Sequence, residues 1–228
     1  MSPLPQEHEG VSARLNRSLV VNEIFHSIQG ETNLSGLPTV FIRLTGCPLR
    51  CLYCDTQYAF HEGRPLRIGA ILEAVSEYRT RHVTVTGGEP LAQKDCPALL
   101  NLLCDESYTV SLETGGALDI SNIDPRVIRV LDLKTPGSGE SLRNLYGNLA
   151  CLTSRDQVKF VICDRGDYEW SRQKLQEFRL PDRCEVLFSP SHGQLAAVEL
   201  AEWILADRLP VRFQLQIHKY LWGEARGH

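Results

Sequence analysis

Two rhythms of apolar and polar positions run along the chain. Short runs rich in Val, Ile and Phe, bounded by Gly, Pro or polar clusters, predict strands over residues 19–28, 39–45, 82–86, 109–113, 127–133, 158–163, 185–188 and 211–217. Helical periodicity fills the gaps. Ile68, Ile71, Leu72, Val75 and Tyr78 keep the i, i+3, i+4, i+7 spacing of one buried face. Asp95 stands as an N-cap, with Pro97 in the first turn, for a helix carrying Leu99, Leu100, Leu102 and Leu103. Further helices are expected over 167–178 and 195–206. Strand–helix alternation of this kind predicts an α/β protein with a mostly parallel sheet. In such a sheet, residues just beyond the C-terminal strand ends line the site. Residues 1–18, polar with two prolines, read as a flexible N-terminal extension. No repeat, low-complexity tract or linker divides residues 19–228, which read as a single domain.

Composition narrows the class. A chain of 228 residues with 43% hydrophobic content and a formal charge of −4 has ample material for one core, which excludes a disordered or fibrous protein. The mild acidity gives no general claim on nucleic acid or anionic membrane. No apolar run approaches the roughly 18 residues of a membrane span. The first residues carry no hydrophobic secretion signal, so a cytosolic location is expected. Eight cysteines in such a protein point to metal binding or redox chemistry rather than a disulfide framework. Five of them, Cys96, Cys104, Cys151, Cys163 and Cys184, are scattered singly and read as small buried hydrophobes.

The other three lie together on Gly46-Cys47-Pro48-Leu49-Arg50-Cys51-Leu52-Tyr53-Cys54-Asp55-Thr56, directly after a predicted strand. A structural zinc site wants four protein ligands, and no fourth cysteine is near; His61 is not at a usual zinc-finger spacing. Three thiolates suit an iron–sulfur cubane with one iron left open. A zinc site completed by His61 or a distant cysteine stays as the alternative. A second candidate is Thr86-Gly87-Gly88-Glu89-Pro90. Its glycines permit close backbone approach to a ligand, and its glutamate can accept from an ammonium group. A sharp strand-to-helix turn explains the string as well.

Cys47-x3-Cys51-x2-Cys54, with Tyr53 between the second and third thiols and Gly-Gly-Glu-Pro some 30 residues on, resembles the signature of the radical S-adenosylmethionine (SAM) superfamily. More specific strings resemble the 7-carboxy-7-deazaguanine synthase family. They are Glu23-Ile24-Phe25-His26-Ser27-Ile28-Gln29-Gly30-Glu31-Thr32, Val40 to Cys47, Cys54-Asp55-Thr56, Ser111-Leu112-Glu113-Thr114-Gly115-Gly116 and Leu215-Gln216-Ile217-His218-Lys219-Tyr220. The similarity covers residues 19–222. It implies a trimmed, partial parallel β/α barrel lacking some helices. It also implies a radical ring contraction of 6-carboxy-5,6,7,8-tetrahydropterin to 7-carboxy-7-deazaguanine, with loss of ammonia, toward queuosine. The implied cofactors are a [4Fe-4S] cluster, SAM and Mg²⁺. The implied partners are a reducing, flavodoxin-like electron donor and a second copy in a homodimer, with no nucleic acid or membrane.

Carried over by residue, the resemblance gives the cluster to Cys47, Cys51 and Cys54. SAM falls to Tyr53, Cys54, Asp55, Gly88, Asp132, Leu133, Lys134, Ser189, Pro190, Ser191 and His192. Thr56 falls to Mg²⁺. The pterin falls to Ile28, Gln29, Gly30, Glu31, Arg43, Thr86, Glu113 and His218, with Arg43 on the substrate carboxylate and Glu113 on the guanidine-like edge. Each has a bland counterpart. Arg43 can pair with a carboxylate for structure alone, Glu113 can cap a turn, Thr56 can cap a helix, and His218 can be a satisfied edge residue. The chain departs from the family at its end, where Glu-Ala-Arg-Gly-His follows Gly223, and in the lead-in before Leu19. Two rivals remain: a radical-SAM activase that installs a glycyl radical on a partner protein, and a zinc-stabilised binding module.

Overall fold

A computed structural model describes residues 10–223 and 225–228. Its strands are β1 Ser18–Ile28, β2 Pro38–Leu44, β3 Arg64–Arg67, β4 His82–Gly87, β5 Thr109–Thr114, β6 Ile128–Asp132, β7 Gln157–Ile162, β8 Glu185–Pro190 and β9 Arg212–Phe213. They form one sheet in the order β3-β1-β2-β4-β5-β6-β7-β8-β9. β1 pairs antiparallel with both β2 and β3, and every neighbouring pair from β2 to β9 is parallel.

The sheet curls. Laid flat, β4 and β9 would stand five strand spacings apart, about 24 Å. Yet consecutive residues of the β1–β2 turn reach both: Gln29 Nε2 donates to Thr84 Oγ1 on β4 at 3.1 Å, and the Gly30 carbonyl accepts from Gln214 Nε2, next to β9, at 3.1 Å. Asn33 N donates to Gln157 Oε1 at the start of β7. This turn therefore plugs one end of a partial barrel.

Period-two alternation sorts the strand residues onto the barrel's two faces. Val40, Ile42 and Leu44 of β2, Val83 and Val85 of β4, Leu112 of β5, Leu131 of β6, and Val158, Phe160 and Ile162 of β7 belong to the apolar core. The intervening Phe41, Arg43, Thr86, Glu113, Asp132, Lys159 and Val161 line an interior cavity. Around the outside lie α2 Ile68–Ser76, α3 Cys96–Asp105, α4 Arg165–Phe178 and α5 Ala197–Asp207. α4 is set by Asp164, whose carboxylate accepts from Asp167 N at 2.9 Å, and it ends on Arg179 in the left-handed region. Tyr168 fixes it to α5 by donating to Asp207 Oδ2 at 2.7 Å. No α-helix joins β5 to β6, and only short 3₁₀ turns join β6 to β7, as expected of a trimmed barrel.

Three expectations change. Residues 11–16, within the segment read as a flexible extension, form a helix, α1 Val11–Asn16. Leu15 packs on the core, the Arg17 carbonyl accepts from Ile68 N, and Arg17 pairs with Asp95 at 3.0 Å. The rest of that extension, residues 1–9, lies outside the described residues. Asp95 sits at the N-cap of α3, but its side chain makes no capping bond. The strand expected over 211–217 is the two-residue β9, followed by α6 Ile217–Trp222, because Ile217 N turns back to donate to the Gly30 carbonyl. One strand, β3, has no counterpart among those expected: Arg-Pro-Leu-Arg has no apolar pattern and is a strand only by pairing with β1.

Candidate active site

The cysteine loop leaves β2 and is shaped by its neighbours' backbones. Gly88 N donates to the Leu44 carbonyl at 3.0 Å and Glu89 N to the Gly46 carbonyl at 2.7 Å. A Cβ on Gly88 would lie 2.3 Å from the Gly46 oxygen, so only glycine fits there. On the far side, Leu52 N donates to the Ser138 carbonyl and Arg50 N to Glu140 Oε1. Held this way, Cys47, Cys51 and Cys54 all line one cavity of about 330 Å³. All three thiols are free and half-buried, and burial raises their pKa values, that of Cys51 to about 11.

Three thiols on one loop, all open to one cavity, are the donor set taken by a cubane held at three corners. Among the described residues, no three His, Cys, Asp or Glu side chains are grouped to grasp a single metal ion. His61 is exposed and does not line the cavity, nor do the five other cysteines, so neither fourth ligand considered for the zinc alternative lines the cavity with the three thiols.

Strand ends supply the next tier. Tyr53, Asp55, Gly88, Asp132, Lys134, Ser191 and His192 line the same cavity. Asp132 Oδ2 lies 3.1 Å from Lys134 Nζ and 3.4 Å from Lys159 Nζ. Its Oδ1 and the Tyr53 hydroxyl are buried without partners among the described residues. Burial, then the Asp132 charge, drives the Tyr53 pKa far up. Two orphaned polar atoms in one wall are what a ligand rich in hydroxyl and amine groups would satisfy. Leu133, Ser189 and Pro190 do not line the cavity; the pleat turns Leu133 into the core, and Ser189 and Pro190 are buried in β8.

Glu89 is fully buried and engaged. Its carboxylate accepts from Thr114 Oγ1 at 2.9 Å, Gly115 N at 2.8 Å and Leu91 N at 3.1 Å. Burial raises its pKa against those bonds. The Gly-Gly-Glu string is thus a turn that fixes the cysteine loop to β5. Thr56 occupies the N-cap of the 3₁₀ turn Gln57–Phe60 without capping it; its hydroxyl donates to Asp55 Oδ1 at 2.8 Å.

The other half of the cavity is lined by Ile28, Gln29, Gly30, Glu31, Arg43, Thr86, Glu113 and His218. Glu113 accepts from Gln29 Nε2 at 3.2 Å and Thr86 Oγ1 at 3.0 Å. Burial, then the Glu31 charge, raises its pKa. Glu31 goes the other way. Burial pushes its pKa up, but the charges of Lys159 and His218 and bonds from Lys159 and Gln216 carry it far below the usual carboxylate range. A Cβ on Gly30 would meet His218 Nδ1 at 2.8 Å, so glycine lets the histidine close on the turn. Arg43 has a structural carboxylate partner: Nε pairs with Glu23 Oε1 at 2.7 Å, while its terminal nitrogens have no hydrogen-bond partner among the described residues.

Comparison with known proteins agrees with this architecture. The radical SAM superfamily profile matches residues 41–179. The 7-carboxy-7-deazaguanine synthase of Chlorobaculum tepidum is 43% identical over 213 residues, 92% of this chain and 97% of that one. The synthase of Koribacter versatilis is 37% identical over 217 residues, 89% and 96% of the two chains. The chain belongs to the 7-carboxy-7-deazaguanine synthase family of the radical SAM superfamily. The crystal structure of QueE from Escherichia coli superposes with a TM-score of 0.76 at 22% identity, covering 92% of this chain and 99% of that one, and so shares the fold. Membership of the superfamily implies a [4Fe-4S] cluster and SAM.

Several residues of this synthase's cavity went unseen in the sequence. Lys159 carried a usable signal, a lysine within the otherwise buried strand Gln157–Ile162. Tyr58 carried none, nor did Glu23 behind the cavity wall, which accepts from both the Tyr58 hydroxyl and Arg43 Nε. Nor did the tail: Gly223 and residues 225–228 line the cavity, with the Arg226 guanidinium 3.8 Å from the Tyr58 ring centroid. Among the described residues, no helix is long and apolar enough to cross a membrane.

Proposed function

We infer that this synthase contracts 6-carboxy-5,6,7,8-tetrahydropterin to 7-carboxy-7-deazaguanine, with loss of ammonia, on the route to queuosine. One observation carries the residue assignments: three thiols at the end of β2 open into the same cavity as two half-buried carboxylates, Glu31 and Glu113, whose pKa values are shifted in opposite directions. The cavity falls in the size range of small-molecule sites.

Cys47, Cys51 and Cys54 would hold the cluster, and Tyr53, Asp55, Gly88, Asp132, Lys134, Ser191 and His192 would surround SAM. When bound, cluster and SAM together supply a 5′-deoxyadenosyl radical able to abstract hydrogen from the pterin. The chain's own residues decide where that happens. Arg43, its Nε anchored on Glu23, offers its outer edge to the substrate carboxylate. Glu31 accepts from the donor-rich pterin edge as an anion. Glu113, held by Gln29 and Thr86, presents a second oxygen pair beside it. His218 lies 3.7 Å from Glu31 and orients that carboxylate. The β1–β2 plug and the C-terminal tail restrict water. Thr56, with the Asp55 carboxylate beside it, offers hard oxygen to Mg²⁺. A flavodoxin-like reductant and a homodimer complete the proposal from the family resemblance.

The test is anaerobic incubation of the reconstituted, reduced protein with SAM, Mg²⁺ and the carboxytetrahydropterin. Formation of the deazapurine carboxylate is expected. SAM cleavage without that product would favour the glycyl-radical activase instead.

A further inference from the structure

Lys159 belongs to none of the motifs above, yet it sits where the two halves of the cavity meet. It projects from the middle of β7 into the barrel, flanked by Val158 and Phe160, which face the opposite, core side. Its Nζ lies 2.6 Å from Glu31 Oε2 on the plug and 3.4 Å from Asp132 Oδ2 on β6. Its side chain is 10% exposed. Burial alone would lower its pKa, but the Glu31, Asp132 and Glu113 charges raise it well above the ordinary lysine value, so the group is an ammonium.

We propose that Lys159 is a positioning residue that fixes two ligand half-sites at once, by binding the pterin-side carboxylate Glu31 and the SAM-side carboxylate Asp132 through a single ammonium.

Glu31 has no other cationic partner as close, and Asp132 is held between this ammonium and that of Lys134. Glu31 faces Lys159 from β7, Glu113 from β5, and His218 and Gln216 from the C-terminal segment. Of these, Lys159 makes the closest contact with it. Asp132 Oδ2 faces two ammonium groups, Lys134 at 3.1 Å and Lys159 at 3.4 Å. Remove the ammonium, and Glu31 is left buried near Glu113, a like charge, with only His218 and a neutral amide to hold it. A buried anion in that position takes up a proton rather than remain unpaired. The acceptor that the pterin edge needs is then lost as pH falls. The inference rests on assigning Glu31 to pterin and Asp132 to SAM.

The experiment uses the reconstituted full chain with Lys159→Met, Lys159→Arg, Glu31→Gln and the Glu31→Gln/Lys159→Met double variant. Lys159→Met is expected to raise the pterin KM about tenfold, the scale of a lost charge-assisted bond, with a smaller change in kcat. It also adds an acid limb to the pH profile of KM that wild type and Lys159→Arg lack. In the Glu31→Gln background the same substitution changes KM by less than about twofold and the limb is absent. Anaerobic titration of the unreduced protein with SAM reads the other half-site, with weaker binding expected in Lys159→Met and binding near wild type in Lys159→Arg. Unchanged KM, profile and SAM affinity in Lys159→Met overturn the proposal. So does an equal KM effect with and without Glu31, or a Lys159→Arg variant as impaired as Lys159→Met. If Glu31→Gln alone leaves the pterin KM at wild type, the assignment of Glu31 has failed, and the proposal falls with it for that separate reason.

Discussion

Gly88→Ala tests how the cysteine loop is held. The added Cβ would stand 2.3 Å from the Gly46 carbonyl oxygen, 2.7 Å from its carbon and 3.0 Å from Cys47 Cβ. Reaching a tolerable 3.0 Å from that oxygen requires about 0.7 Å of movement. The obstructing atoms are backbone, so no side chain can rotate away. The movement stretches the 2.7 Å bond from Glu89 N to the Gly46 carbonyl and displaces the residue next to Cys47. Overpacking costs about 1–3 kcal/mol and the weakened bond about 1 kcal/mol, or about 2–4 kcal/mol together. For a chain of this size that lowers the unfolding temperature by about 4–16 °C. Thermal unfolding, iron per chain after reconstitution and SAM titration read the three consequences. All should fall together. Gly147→Ala is the control: nothing lies within 4 Å of the point its methyl group would occupy, and stability should stay within about 0.5 kcal/mol of wild type. A Gly88→Ala protein with wild-type unfolding temperature and full iron and SAM binding would refute the steric reasoning.

Other expectations follow from the same contacts. Cys51→Ala should remain folded by circular dichroism but retain less than the four irons of a complete cluster and lose turnover; wild-type turnover would contradict the cluster assignment. Asp156→Ala should cost about 3–5 kcal/mol in urea unfolding, because its 2%-exposed side chain accepts from Arg129 N, Thr153 N and Thr153 Oγ1 and faces the buried Arg129 guanidinium. Turnover per folded molecule should be unchanged, since Asp156 lies outside the cavity. Glu31→Gln should be less stable than wild type near neutral pH. The folded-state pKa of Glu31 is depressed, so its contribution is complete above the unfolded value of about 4.3 and is lost as pH falls below it. The stability gap between the two proteins should therefore narrow from about pH 5 downward, as read by denaturant titrations across that range.

Most of the scaffold and the chemistry-bearing loop are written in local residue patterns. Val, Ile and Leu at alternate positions specify which face of each strand packs into the core, and the x3–x2 cysteine spacing places three thiols on one short loop. The same alternation could have excluded Leu133 from the cavity, since its neighbours Asp132 and Lys134 face inward. Tertiary structure alone decided the partners of the interior charges. Glu23 meets Arg43 because a β-bulge between Val21 and Glu23 shifts the register: Val21 opposes the core residue Leu44, whereas Glu23 opposes Arg43 on the cavity side. Glu31 meets Lys159 across 128 positions because the sheet curls until the plug reaches β7. The helix at 11–16, β3 and the tail over Tyr58 likewise depend on surfaces supplied by distant segments. Periodicity records which way a side chain points. What it finds there depends on strand order and curvature, which no local pattern encodes.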